Sequence, residues 1–326
     1  MGLAVPPQAR DSPGTRHRPQ GPGRQGPGGP QPQGDLRAGG VRVSTTVVRR
    51  RRHTLYFLEW AAAQRPVHLD TDVDMTRIQA HRAAARDNGR RYSVVSYLLY
   101  AAGRALDRHP EANAVMAPGW PGPLRRPRIV RFDGVTAKLA LDRPVEGERT
   151  VLSALVPGLE SANLREIQER VDRYHGEQAA ELPEFKGVRM LGRLPVPLGR
   201  AAFAAALRDP RRRAGVFGTV SVSSLGHREV DGFHSAGGTA VTLCAGRVVD
   251  RAVVRDGVVV PAPMMRLGLT FDHRVIDGAT AADVLSDLHH TMETFDDGTW
   301  APDPGPDPRG ADRDPRPLGG LEPSTH

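Results

Sequence analysis

Met265-Arg266-Leu267-Gly268-Leu269-Thr270-Phe271-Asp272-His273-Arg274-Val275-Ile276-Asp277-Gly278 joins two periodicities at one histidine. Met265, Leu267, Leu269 and Phe271 alternate with Arg266, Gly268 and Thr270, the pattern of a half-buried strand. Further on, Val284, Leu285, Leu288, Met292 and Phe295 recur at the spacing of one helix face. His273 falls at the junction, where its ring can face a cleft while its neighbours fix its orientation. Asp277 lies four positions later and Gly278 permits a tight turn. A general base needs a partner that locks its tautomer and keeps its proton affinity near working pH, and a carboxylate does both. The spacing alone is weak evidence, because a solvated histidine near an aspartate reads the same and the chain has 12 histidines.

Upstream, Val67 to Asp74 reads as a strand, with Met75, Ile78 and Ala84 continuing into a helix. Ser93 is a candidate cap for a helix with Val94, Val95, Leu98, Leu99, Ala102 and Leu106 on one side, closed by His109-Pro110. Strand-like pieces follow at Ile129 to Phe132, Thr136 to Leu141 and Val151 to Val156. Ser161 can cap a helix whose buried stripe is Leu164, Ile167, Val171 and Tyr174. Further strands read at Val216 to Ser223, Thr239 to Ala245, Val248 to Arg255 and Met264 to Phe271. Strands and helices mix without strict alternation, so the expected class is α+β, a mixed sheet with packed helices.

The second chemical element is Gly218-Thr219-Val220-Ser221-Val222-Ser223-Ser224-Leu225-Gly226. Alternation puts Val220 and Val222 on one face and Thr219, Ser221 and Ser223 on the other. Two readings stand: a solvated strand face ending in a turn, or a hydroxyl donor aimed at a developing oxyanion.

Composition narrows the field. The chain has 326 residues and a formal net charge of +8. Its ends, residues 1–40 and 301–326, are rich in Pro, Gly and Arg and read as disordered tails around a foldable part, 41–300, compatible with one domain. The positive charge is almost all arginine, spread along the chain, with Lys138 and Lys186 the only lysines. No aromatic-basic interleaving accompanies it, so nucleic acid is not favoured as a partner. Cys244, the single cysteine, excludes an intrachain disulfide framework and reads as a buried small hydrophobe. No apolar run approaches the ~20 residues of a membrane span, no secretory signal is legible, and cytoplasm is the default expectation.

The run Asp272 to Gly278 resembles the active-site motif of the catalytic domain of dihydrolipoyl acyltransferases, the core components of 2-oxoacid dehydrogenase complexes, which are related to chloramphenicol acetyltransferase. Gly218 to Gly226 resembles the same family's serine-bearing strand, and Leu69 to Asp74 its early strand leading into a helix. Tyr92 to Ala114 and Glu160 to Tyr174 are similar as well, so the resemblance covers roughly Arg49 to Phe295. It implies a chloramphenicol acetyltransferase-like mixed sheet and transfer of an acyl group from a thioester to a thiol, hydroxyl or amine. His273 would be the general base and Ser223 the oxyanion donor. Asp277 would hold the loop and histidine, with an arginine from Arg49 to Arg52 as its partner. The resemblance also implies a homotrimer with each site between subunits, serine and histidine coming from different chains.

Departures bear on the donor. Full-length dihydrolipoyl acyltransferases carry a lipoyl domain with a modified lysine, and no lysine precedes Lys138. The expectation is a freestanding transferase using acyl-coenzyme A, with no covalently bound lipoyl group on this chain. The competing reading is a subunit served by a lipoyl-carrying protein, and the acceptor is a small molecule or is carrier-bound. Leu182 to Arg213 is longer than the resemblance predicts: an ordinary packed helix, a cover over the acceptor site, or a basic amphipathic surface for a membrane or acidic carrier. Ala236-Gly237-Gly238 stands where the family commonly has an Asn-Pro turn. A different class of function, a non-catalytic oligomeric scaffold, is disfavoured because a scaffold has no need of His273, Asp277 and Ser223 together.

Overall fold

The computed structural model describes residues 52–117, 126–145, 148–174, 182 and 185–298. The two expected tails and Arg49 to Arg51 lie outside them. In chain order the elements are α1 (Arg52–Ala61), β1 (Pro66–Asp74), α2 (Thr76–Asp87), α3 (Val94–Arg108), β2 (Ala114–Ala117), β3 (Arg128–Arg131), β4 (Ala137–Val145) and β5 (Glu148–Val156). Then come α4 (Leu164–Asp172), α5 (Lys186–Arg193), α6 (Val196–Arg208), α7 (Pro210–Phe217), β6 (Val220–Ser224), β7 (Val241–Arg255), β8 (Val258–Asp272) and α8 (Gly278–Glu293). The class is α+β, as expected.

Six strands form one mixed sheet in the order β1-β8-β7-β6-β4-β5, with β2 and β3 as a separate ladder. β6 runs parallel to both its neighbours, and the other pairs are antiparallel. On one face Val220, Val222, Val241, Leu243, Leu267, Leu269 and Phe271 are buried in the core that α3, α4 and α8 complete. Full burial of each large apolar side chain contributes about 1.5–3 kcal/mol. A register slip of one residue would turn the whole row to the opposite face, so this row fixes the pairing.

The opposite face differs from the simpler of the two sequence readings. Registers align Lys138, Ser221, Thr242, Thr270 and His68 in a row across five strands, and all but His68 are buried rather than solvated. Their cover is α1, α7 and the chain between β6 and β7. That segment lies directly on the sheet because glycines open room for it. A Cβ on Gly246 would come within 1.9 Å of the Asp231 carbonyl oxygen, and one on Gly237 within 2.2 Å of the Ser221 Cβ.

Several boundaries moved for local reasons. Thr239 to Ala245 and Val248 to Arg255, expected as two strands, are one strand interrupted by a bulge between Ala245 and Val248. Asn163, not Ser161, caps α4, in a capping box: Glu166 N donates to Asn163 Oδ1 at 2.9 Å and Asn163 N to Glu166 Oε2 at 3.2 Å. Ser93 does cap α3, accepting from Ser96 N at 3.1 Å. The Leu182 to Arg213 stretch resolves into short helices because Pro195, Pro197 and Pro210 cannot sit in a helix interior. Val216 and Phe217, expected in a strand, end α7, and Gly218 at φ 63° turns the chain into β6. No helix among the described residues is long and apolar enough to cross a membrane.

Candidate active site

β8 ends at Asp272, and the five-residue run to α8, His273 to Asp277, is a tight, tethered turn. His273 N donates to the Arg65 carbonyl at 3.0 Å, and Val275 N to the Asp272 carbonyl at 2.8 Å. Asp272 N donates to the Ala240 carbonyl at 2.9 Å, tying the end of β8 to the lead-in of β7. Ile276 is buried beneath the turn.

Asp272 is the electrostatic anchor. Its side chain is only 3% exposed and holds Arg274 through two parallel contacts, Nε to Oδ1 at 2.9 Å and Nη2 to Oδ2 at 2.6 Å. Oδ1 also accepts from Arg274 N at 3.1 Å. Burial pushes the Asp272 carboxyl upward, and the Arg274 hydrogen bonds outweigh it, holding the group below the usual carboxylate range. The planar fork of arginine suits this two-point grip. The sequence alone does not reveal the pairing of Arg274 with Asp272; the available signal is an aspartate at the last strand position with an arginine two residues on.

His273 itself is half-exposed, its side chain at 47%. Nδ1 lies 3.6 Å from Asp277 Oδ1, ion-pair range rather than a formed hydrogen bond, and the Phe271 ring packs at 5.4 Å between centroids. Among the described residues Nε2 has no hydrogen-bond partner. Asp277 occupies the N-cap position of α8 without a side-chain cap bond and is 87% exposed. Of its expected arginine partners, Arg52 instead donates to the Leu194 carbonyl at 3.0 Å, and Arg49 to Arg51 lie outside the described residues.

Ser223 is half-buried near the end of β6, and its hydroxyl has no hydrogen-bond partner among the described residues. It shares a face with Ser221 but not its surroundings. Ser221 Oγ donates to the Gly237 carbonyl at 2.9 Å and accepts from Thr239 Oγ1 at 3.0 Å. Ser223 is in register with Cys244, and Cys244 with Gly268. His273 is five residues beyond Gly268, so the two side chains are offset by roughly 16 Å along the strands and roughly 10 Å across them, about 19 Å in all. One chain does not bring its serine and histidine together. Cys244 is buried, as expected, and burial pushes its thiol up to about 12.

Residues 214–298, which contain both Ser223 and His273, match the family model of the 2-oxoacid dehydrogenases acyltransferase (catalytic domain). The chain is 26% identical over 230 residues to the dihydrolipoyllysine-residue acetyltransferase component of the pyruvate dehydrogenase complex of Bacillus subtilis, covering 69% of this chain and 44% of that protein. The corresponding Staphylococcus aureus component is 40% identical over 50 residues, 15% of this chain and 12% of the relative. The chain thus spans less than half the length of these relatives. A probable dihydrolipoamide acetyltransferase from Listeria monocytogenes superposes with a TM-score of 0.59 at 17% identity, over 80% of this chain and 98% of that one. The Azotobacter vinelandii dihydrolipoamide acetyltransferase gives 0.59 at 20% identity, over 81% and 97%. The serine strand and the histidine turn both lie inside the stretch, residues 214–298, that matches the catalytic domain of the 2-oxoacid dehydrogenase acyltransferases, and the chain shares the fold of these acetyltransferases.

Proposed function

We propose that this protein is an acyltransferase that moves an acyl group from a thioester, acyl-coenzyme A in the first instance, to a thiol acceptor. The observation that carries the reading is the His273 turn: a main chain pinned at Arg65 and Ala240, a ring steadied by Phe271 and Asp277, and an imidazole nitrogen left open. His273 Nε2 takes the proton of the acceptor thiol as sulfur attacks the thioester carbonyl. The Ser223 hydroxyl donates to the tetrahedral oxyanion. Collapse breaks the carbon–sulfur bond of the donor, and the departing thiolate recovers the proton from Nε2. No acyl-enzyme is required.

The separation of Ser223 and His273 within one chain supports a site completed between subunits, the serine of one copy meeting the histidine of the next in a homotrimer. The Azotobacter structure addresses a serine, a histidine and an asparagine in that enzyme's catalytic mechanism, the last two four residues apart. Ser223, His273 and Asp277 parallel that set, with aspartate in place of asparagine.

The test is formation of the acceptor thioester together with the freed donor thiol, resolved by chromatography because exchange leaves total thiol unchanged, from acetyl-coenzyme A, longer acyl-coenzyme A esters and acetyl-dihydrolipoamide, each with mono- and dithiol acceptors. Turnover on an acyl-coenzyme A supports the reading. Turnover on the dihydrolipoyl donor alone moves the donor to a lipoyl-carrying protein, and no turnover with any pair overturns the assignment.

A further inference from the structure

Two buried cations beneath the Gly237–Gly238 turn take no part in the chemistry above. Lys138 on β4 is 6% exposed, and its ammonium donates to the Gly237 carbonyl while lying 4.7 Å from the Phe57 ring centroid and 4.8 Å from that of Phe217. Arg213 on α7 is 7% exposed, donates to the Gly238 carbonyl at 2.6 Å and to the Met116 carbonyl at 3.4 Å, and stacks 4.5 Å over Trp60. Two successive carbonyls are therefore each gripped by a cation that is backed by aromatic rings from α1 or α7. Taking two like charges out of water costs several kcal/mol per ion, and an aliphatic pair would glue helix to sheet without that cost. What the cations add is a fixed height for the turn.

That height is transmitted to the histidine. Ala240, two residues past Gly238, accepts from Asp272 N. The Thr239 carbonyl accepts from Gln64 Nε2 at 3.3 Å, and the next residue, Arg65, accepts from His273 N and donates its own N–H to Asp272 Oδ1 at 3.5 Å. Both backbone tethers of the His273 turn thus rest on the stretch from Gly237 to Ala240. We infer that Lys138 and Arg213 are positioning residues, which hold the Gly237 and Gly238 carbonyls and so set where the Asp272–His273 turn sits. The inference rests on reading His273 as the base.

Burial next to Arg213 pushes Lys138 down to about 7, which makes it observable. The groups facing it are the Arg213 guanidinium from α7, the Phe57 and Phe217 rings, the Ser221 hydroxyl from β6 and the Gly237 carbonyl; Arg213 in turn feels Asp272 and Arg274. Lys186, the only other lysine, is exposed, so only two lysine signals need to be told apart.

The experiment is NMR titration of the full chain labelled at lysine and histidine, with the His273 ring signal assigned through His273→Gln. Lys138 is expected to titrate well below the ordinary lysine value of 10.5, and the His273 ring to show an inflection at the Lys138 midpoint that Lys138→Met removes. In the acyl-transfer assay Lys138→Met is expected to lower kcat about tenfold or more with KM for the donor nearly unchanged, as for a misplaced catalytic group, and Lys138→Arg to recover most of the loss. A Lys138 that titrates at the ordinary lysine value, or a His273 ring blind to Lys138, overturns the inference. Once His273→Gln has assigned the ring signal, the wild-type titration needs no Lys138 variant and no turnover, so it decides the coupling even if Lys138→Met fails to fold or the proposed activity fails.

Discussion

Mixing chains that carry His273→Ala with chains that carry Ser223→Ala asks whether one active site draws on two subunits. The register places the two side chains about 19 Å apart within a chain, whereas a base and an oxyanion donor serving one tetrahedral centre must both reach it at about 3 Å. Each variant on its own is therefore expected to be nearly inactive. In a trimer assembled at random from equal amounts of the two, a boundary works when the histidine comes from a Ser223→Ala chain and the serine from a His273→Ala chain. With identical boundaries around a closed ring, about one quarter of the sites are intact. The assay is formation of the acceptor thioester after co-refolding the two chains, with each variant refolded alone as control. Recovery to about a quarter of the wild-type rate is the expected result; a mixture no more active than its components would refute the reasoning.

Asp272→Ala is expected to cost about 3 kcal/mol in urea unfolding, the low end for breaking a buried ion pair because the Arg274 side chain is one-third exposed. In the wild type that contribution is complete above the unfolded carboxyl's 3.8 and fades as pH falls through the lower folded value. Lys138 gives a slope of the same sign in a higher window: its folded value of about 7 lies below the unfolded 10.5, so the unfolded chain holds more proton between them. Wild-type stability relative to Lys138→Met is therefore expected to rise by up to ~1.4 kcal/mol per pH unit across that window, and a flat difference would contradict the assignment. Ser223→Ala is expected to lose roughly 2.7–4 kcal/mol of transition-state stabilisation, seen mainly in kcat.

The alternating run of β8 and the helical stripe of α8 were legible because each element buries one continuous face, and periodicity records that directly. The same logic found β1, α2 and α3. It split β7, because Gly246 and Arg247 at the bulge break the alternation, and it left α5, α6 and α7 unseparated. The covered sheet face could not be read from β6 alone. Thr219 and Ser221 look solvent-facing in their own strand, and what buries them is a segment many residues away that Gly237 and Gly246 admit. Lys138 was hidden for the same reason: a lysine alternating with Leu139 looks like an outward residue until Arg213, Phe57 and Phe217 are placed around it. The motif order singles out His273 and Ser223 as candidates, but only the strand register shows that they stand apart.

The central claim, acyl transfer by His273, is tested most directly by comparing kcat/KM for formation of the acceptor thioester from an acyl-coenzyme A by the wild type and by His273→Ala, each confirmed folded and of equal size in solution. Removing a general base is expected to lower the rate about 10²–10⁴-fold, with assembly unchanged. Equal rates in the two proteins would contradict the account and leave the fold as a scaffold.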